Sequence, residues 1–408
     1  MFLNILLISS TFFRNNLFTL CHLIYTDTFY MKRKWIRWVS WILLTPIILF
    51  VILMVLLYVP PVQNLLRREV TAYASKATGM QIQVERIDLR FPLNLLVRGV
   101  EVIQQPDTLL SLESLNVRVQ AWPLIKGKVE VDEVTLSRVA VNSANLMEGM
   151  KIKGVLGRFF LQSHGVDLSN EIAIINQAEL SDTHVQLLMN DTTTTPKDTT
   201  ASAPVNWKVD LHQLKLKNVS FSMQLPVDSM RMAAHIGEAA IDDAQADLKN
   251  QFYGLKKFLL SGTSASYDTG TAQPIEGFDA SHIAVRDVRI ALDSLLYKGR
   301  DMNAVIREFT MNERSGLSVV SLTGRAYSND SIISVPGLKL KTPHSEIDLS
   351  AHTYWELVNI PTTGRLSANL NAYIGKEDVM LFAGGLPDSF KEAYPFRPLV
   401  IRAGTTVT

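Results

Sequence analysis

The sequence predicts a mainly β protein: an N-terminal transmembrane helix, a short amphipathic capping helix, and a curved antiparallel β-meander that forms an elongated apolar groove. Three observations lead to this fold class. A basic segment near the N-terminus precedes an uncharged apolar run. The stretch from Gly127 to Val141 alternates apolar and polar residues, with breaks of three. Short turn-like breaks, without long helical patterns, separate the segments that follow.

Composition limits the classes of function. The chain has 408 residues, of which 47% are hydrophobic and 19% charged, so it is rich in apolar residues for a soluble protein and we expect it to contact lipid. Its net charge is +1, from 40 basic and 39 acidic residues. Because this balance creates no strongly basic field, we expect no nucleic-acid partner. The single cysteine, Cys21, cannot form an internal disulfide.

The first 30 residues form a doubtful extension. They are apolar and precede a second methionine, Met31, at which a more regular targeting segment begins. We therefore expect translation to start at Met31. A genuine signal-like extension over residues 1–30 is the alternative.

Residues 31–59 predict a cytoplasmic basic segment followed by a transmembrane helix. The topology charges are Lys32, Arg33, Lys34 and Arg37. The uncharged run over 39–58 reaches the roughly 20 residues that cross about 30 Å of hydrocarbon. The predicted membrane anchor comprises Trp41, Ile47, Phe50, Leu53, Leu56 and Tyr58. The positive-inside rule keeps the N-terminus in the cytoplasm and places the remainder across the membrane. Cleavage as a secretory signal is the alternative.

Residues 60–79 predict an amphipathic capping helix. Pro60 and Pro61 suit a helix start and Gly79 suits a C-cap. The apolar stripe of this helix consists of Val62, Leu65, Leu66, Val70, Tyr73 and Ala77. We expect the helix to cover the open end of the β core. The alternative is that it rests on lipid headgroups.

The stretch from Gly127 to Val141 has the pattern around which the β region is organised. Its apolar residues are Val129, Val131, Val134, Leu136, Val139 and Val141. Each step of three would change the face of the strand unless bulges occur near Asp132–Glu133 and Ser137–Arg138. Such bulges keep the apolar set on one side and bend the sheet. An ordinary strand of a β-sandwich is the alternative.

Two other stretches have the same spacing of apolar residues. One contains Ile82, Val84, Ile87 and Leu89; the other contains Val209, Leu211, Leu214, Leu216, Val219 and Phe221. Together with the apolar residues of the 127–141 stretch, these are the candidate groove residues.

Turn signals divide the β region into strands. We predict strands at 81–91, 95–104, 109–120, 128–142, 171–188, 206–212, 214–225, 234–248, 257–268, 278–286, 287–296, 303–311, 317–327, 331–340 and 344–354. The residues at 146–160 are compatible with a short helix, and a further strand begins at 399. The segments are thus a first β-groove segment (80–189), a flexible Thr-rich loop (190–204) and a second β-groove segment (205–408), which we expect to be truncated at its C-terminal end.

No pattern of catalytic residues is present in the sequence. The eight histidines are scattered, and there is no nucleophile elbow, P-loop or dinucleotide fingerprint. Asp268-Thr269-Gly270 occurs once, in a turn-like context, whereas aspartic proteases need two carboxylates. We expect neither an enzyme nor a bound metal or cofactor.

Four features together resemble the AsmA-like proteins of the Gram-negative envelope, and among them the TamB family (translocation and assembly module). They are the basic N-terminus with one span, the helix from Pro60 to Gly79, the strand with Arg90-Phe91-Pro92-Leu93, and the Trp122-Pro123-Leu124-Ile125-Lys126-Gly127 turn leading into Val129. The resemblance is clearest over residues 32–142. It implies a β-taco, a folded-over β-sheet whose groove is lined by apolar side chains.

The resemblance also implies a function. A protein of this kind is anchored in the cell inner membrane by a single pass, with its C-terminal region in the periplasm, and supports outer-membrane biogenesis. Its partners are the inner membrane, phospholipid and an outer-membrane barrel assembly partner. The sequence leaves two functions open. The groove carries phospholipid acyl chains, or the protein is a scaffold or chaperone for outer-membrane protein translocation and assembly by β-augmentation.

Overall fold

The computed structural model describes residues 58–407, except 91–92, 105–106, 121–129, 144–148, 168–169, 190–205, 360–364, 384–386 and 395–396, together with a few positions between 44 and 55. The chain divides into two compact units, Met1–Val62 and Gln63–Thr408. Of the predicted anchor and topology residues only Tyr58 is described. Within these described residues, no helix has the length and apolar character needed to cross a membrane.

Strands dominate the second unit. They are β1 (Gln81–Arg90), β2 (Asn94–Gln104), β3 (Asp107–Val119), β4 (Val131–Asn142), β5 (Met150–Asp167), β6 (Ile172–Met189), β7 (Lys208–Leu225), β8 (Met230–Asp247), β9 (Phe252–Asp268), β10 (His282–Lys298), β11 (Asp301–Glu313), β12 (Ser318–Val319), β13 (Ser321–Ser328), β14 (Ile332–Lys341), β15 (Glu346–Tyr354), β16 (Leu366–Ile374) and β17 (Leu399–Val407). Four described helices accompany them: α1 (Pro60–Thr78), α2 (Trp355–Asn359), α3 (Lys376–Phe382) and α4 (Asp388–Ala393).

All seventeen strands belong to one long, curved sheet that is largely an antiparallel meander. Neighbours in sequence pair with each other from β1 to β11, and β11 then pairs with both β12 and β13. The meander continues from β13 to β17. The mainly β prediction is confirmed.

One pair of strands runs the other way. β6 and β7 are parallel, with Ile172 opposite Lys208 and Leu188 opposite Gln224. The end of β6 at Met189 and the start of β7 at Lys208, which 18 residues separate in the sequence, therefore lie at opposite ends of this pair of strands. The prediction of an uninterrupted antiparallel meander is wrong here. A connection longer than about a dozen residues permits a parallel return, and its composition does not specify direction.

Several strands are longer than predicted. The segments predicted at 206–212 and 214–225 form the single strand β7, and those at 278–286 and 287–296 form β10. The prediction of a short helix within 146–160 is wrong, because β5 begins at Met150. In β10 the break in apolar alternation is a local kink at Asp287, which has positive φ, inside a continuous strand.

Helix α1 lies along the edge strand β1. Gln63 Nε2 donates to the Leu89 carbonyl at 3.0 Å, and Arg67 Nη1 donates to the Glu85 carbonyl at 2.7 Å. The Ile82 amide donates to Ser75 Oγ at 3.0 Å. The helix thus satisfies backbone groups of β1 that a bare edge would leave to water.

The side of α1 that contacts β1 is not the one expected. Gln63, Arg67 and Ser75 are partly shielded, whereas Leu65 and Tyr73 of the apolar stripe are exposed. The helix therefore contacts the edge strand β1 through polar side chains and not through these residues of the apolar stripe. Polar side chains can bond to the free carbonyl groups of β1, which apolar side chains cannot.

Helix α3 demonstrates how strongly the sheet bends. The Phe278 amide, in the connection from β9 to β10, donates to the Leu381 carbonyl at 2.7 Å, and the Phe278 and Phe382 ring centroids lie 5.2 Å apart. The helix directly follows β16, which is five pairing steps from β10. In a flat sheet these strands would be about 24 Å apart. The sheet therefore curls between β10 and β16.

The sheet has no packed second layer among the described residues. No large side chain there is fully buried, and six of the ten buried apolar residues are alanines. A β-sandwich would instead bury large side chains between two sheets. The alternative prediction, that the stretch from Gly127 to Val141 is an ordinary strand of a β-sandwich, is therefore wrong for the described residues.

Candidate functional site

Apolar side chains form continuous rows across the strands. The central apolar row runs from β1 to β11, each member opposite the next in the pairing register. It consists of Ile87, Val97, Leu115, Leu136, Phe159, Leu180, Leu216, Ala239, Leu260, Ile290 and Phe309. Directly opposed side chains share a face of the sheet. Ten steps between strands give this row a length of about 48 Å.

The candidate groove residues fall into this row and its neighbours. Parallel rows pass through Ile82, Val141 and Phe221; through Val84, Val139 and Val219; and through Leu89, Val134 and Leu214. The remaining described candidates extend the same strands toward one end: Val131 opposes Val119, while Val209 and Leu211 oppose Ala246 and Ala244. Val129 lies outside the described residues. We call the surface formed by these rows the apolar face.

A row of kinks crosses the sheet between the apolar rows. Its residues have positive φ: Gly99 (58°), Arg138 (47°), Asp182 (51°), Asn218 (53°), Gly262 (59°) and Asp287 (53°). We call this the kink row. Four kinks fall in a step of three between apolar residues, such as Leu136 to Val139 and Leu216 to Val219, and those at Asp182 and Gly262 fall between a leucine and a threonine. A left-handed residue resets the alternation, so the apolar side chains before and after it stay on one face.

Two glycines, Gly157 and Gly237, lie opposite members of the kink row, where neighbouring strands approach closely. A Cβ added to Gly157 would lie 2.7 Å from Asp182 Cβ and 2.8 Å from the Asp182 carbonyl oxygen. A Cβ added to Gly237 would lie 2.8 Å from the Gly262 carbonyl oxygen. Both contacts are shorter than side chains tolerate, so a residue without Cβ is required at these positions.

The structure tests both predicted bulges. The register shifts between Arg118 and Val119 leave Asp132 as an extra residue, which confirms the first bulge. At the second position, Arg138 has positive φ, but Glu113 opposite it is likewise left out of the register. The second feature is therefore a paired kink and not an inserted residue. Arg138 Nη2 donates to Glu113 Oε1 at 2.6 Å across this kink.

In the middle of β7 the face opposite the apolar rows is polar. The side chains of Lys215 and Lys217 are exposed, while the alternating Leu214 and Leu216 are partly shielded. At these positions the apolar side chains are the less exposed set, although no second layer covers them among the described residues. This shielding is what neighbouring side chains provide on the inner side of a curved sheet.

A cluster of polar residues is buried where helix α3 meets the strand ends. Asp378 accepts hydrogen bonds from the hydroxyl groups of Thr342 and Ser345. Asp279 accepts from the amides of Ile275 and Ser281 at 3.2 and 2.9 Å. These bonds, together with one from buried His282, lower the Asp279 pKa below its ordinary value.

Glu313 belongs to the same end of the sheet. Burial opposes its ionisation, but hydrogen bonds from the side chain and amide of Ser315 and from the amide of Ala284 outweigh that effect and lower its pKa. Both carboxylates hold the connections between strands. Their hydrogen bonds to backbone amides hold these connections in place.

Sequence reasoning missed the apolar-face residues of β2, β3, β5, β6, β8, β9, β10 and β11. The same spacing could have identified some of them: Leu156 to Phe159, Leu180 to Thr183, Ile236 to Ala239 and Leu260 to Thr263 are steps of three, and the second and fourth contain the kink residues Asp182 and Gly262. The pattern was harder to recognise there because alanine, threonine and glycine replace larger apolar residues.

The described residues contain no cluster of three or more histidine, cysteine, aspartate or glutamate residues that could hold a metal ion. Comparison with known protein families finds no match. Comparison with curated proteins finds none either.

Proposed function

We propose that this protein is an inner-membrane-anchored periplasmic conduit of the AsmA and TamB type, which supports outer-membrane biogenesis by carrying phospholipid acyl chains along the apolar face. One observation carries the proposal: the central apolar row continues across eleven strands, and no described residues form a layer over it. The basic segment followed by the uncharged run over 39–58 supports anchoring.

The mechanism is partition. Each CH₂ group of an acyl chain gains about 0.8 kcal/mol when it leaves water for an apolar surface. Continuous rows give successive positions of similar affinity, so a chain can move along them without a specific binding residue. Headgroups remain in water at the open side.

Site-specific photocrosslinking tests this proposal. Phe221 lies on the apolar face and is 41% exposed, while the adjacent Ser222 lies on the polar face. A benzoylphenylalanine in place of Phe221, in cells that produce the full chain, should form a phospholipid adduct visible by mass spectrometry. The same group in place of Ser222 is the matched control. Equal adducts at the two positions, or none at position 221, would contradict lipid carriage.

A scaffold function is the second candidate, because the sheet presents a strand edge. β17 pairs with β16 over nine residue pairs, and no register joins its other side to a further described strand. Such an edge can accept another β-strand by β-augmentation. Crosslinks from β17 to outer-membrane proteins, without phospholipid adducts at position 221, would favour this function.

A further inference from the structure

Three residues of the apolar stripe of helix α1 are exposed among the described residues. Leu65 is 60% exposed, Val70 46% and Tyr73 77%. These three residues recur on one side of the helix because successive residues are 100° apart. An amphipathic helix of a water-soluble domain normally turns such a stripe inward, so this exposure requires an explanation.

The rotation of α1 about its axis is fixed by its contacts with β1. The bonds from Gln63 and Arg67 to carbonyl groups of β1, and from the Ile82 amide to Ser75, all come from one side of the helix. Turning the stripe toward the sheet would break all three. The stripe is therefore held away from the strand edge by polar contacts and cannot be covered by simple rotation.

The surroundings of the stripe indicate lipid. Arg68 and Lys76 are exposed on the same helix, against the single acidic residue Glu69. In the sequence, the uncharged run over 39–58 ends immediately before Val59 and Pro60. Tyrosine is also a residue that favours the boundary between headgroups and hydrocarbon.

We propose that α1 lies on the surface of a bilayer containing anionic phospholipid, with Leu65, Val70 and Tyr73 inserted at the headgroup boundary. This inference rests on the proposed function, because that function supplies the membrane on which α1 would lie. Because α1 also lines β1, the docked helix brings the first strand of the apolar face to the bilayer. Lipid would then enter the apolar rows at Ile82, Val84, Ile87 and Leu89.

Fluorescence quenching tests the docking. Cys21→Ser removes the one cysteine of the full chain, and Tyr73→Cys then carries an environment-sensitive label on the stripe. Asn64→Cys is the matched control, because Asn64 is exposed on the same helix about 180° away from Tyr73. Both proteins are reconstituted into vesicles of phosphatidylethanolamine and phosphatidylglycerol that contain a lipid with a quencher near its headgroup. We expect several-fold stronger quenching of the label at position 73.

Equal quenching at positions 73 and 64, or none at either, would overturn the docking. Leu65→Cys provides the same test if the Tyr73 variant does not fold. Photocrosslinking at Phe221 separates this inference from the conduit itself. Lipid adducts at 221 without quenching at 73 would refute the docking alone, whereas quenching at 73 without adducts at 221 would refute the conduit alone.

Discussion

Single residues opposite the kink row determine how closely neighbouring strands can approach at the bend. We expect Gly237→Ala to destabilise the protein by about 1–3 kcal/mol, because the new Cβ would meet the Gly262 carbonyl oxygen. Gly337→Ala is the control, since a Cβ there meets nothing within 4 Å. Thermal unfolding of the purified full chain compares the two variants. Equal melting temperatures would show that the strands at the kink can move apart.

The carboxylate of Asp279 makes stability depend on pH. Its pKa is lowered in the folded state, so its contribution to the free energy of unfolding is present above the unfolded value of about 3.9 and is lost as pH falls through the folded pKa. We expect the melting temperature of Asp279→Asn to lie below that of the wild type at pH 6. The difference should shrink below about pH 4. A difference that is constant across this range would exclude the ionised group as its cause.

At the scale of elements, the contact of α1 with β1 depends on side chains that donate to backbone carbonyls. We expect Gln63→Ala and Arg67→Ala each to cost about 1 kcal/mol and to accelerate amide hydrogen exchange in Gln81–Arg90. Arg68→Ala, on the exposed side of the helix, is the control. Unchanged exchange in β1 would mean that the helix contributes nothing to that edge.

The strands could be predicted from the sequence to the extent that their pattern is local. The step of three around Arg138 predicted a distortion there because it depends only on neighbouring residues. The parallel pairing of β6 with β7 could not be predicted, because the apolar pattern of Val209 and Leu211 is the same in either direction. The contact of Phe278 with Leu381 was likewise hidden, since it exists only after the sheet curls.

The candidate site was predicted in part for the same reason. The groove residues of β1, β4 and β7 carry large apolar side chains, so their regular spacing is recognisable in the sequence. Ala239 lies in the same row but gives a weak signal. The side of α1 that faces β1 could not be read from its amphipathic pattern, because the free carbonyl groups of an edge strand select polar residues.

At the scale of the whole molecule, an uncovered apolar face should tolerate charge better than a closed core does. We expect Val131→Asp and Leu136→Asp to leave the fold largely intact, because both side chains are only partly shielded. Ala239→Asp, at a position that is 8% exposed in the same row, should cost several kcal/mol. Thermal unfolding distinguishes these variants. Collapse of the fold with either of the first two would indicate a closed core.

The kinks lie at matched registers in six of the strands between β2 and β10, so the bend recurs along this part of the sheet. Each strand contacts little beyond its two neighbours in sequence, and stability is then close to a sum of nearest-neighbour terms, as in a one-dimensional array. Adding or removing an antiparallel hairpin would change the length of the sheet, measured across its strands, by about 10 Å without altering the length of the individual strands. The length of such a sheet can therefore be adjusted to a given distance by duplication of hairpins alone.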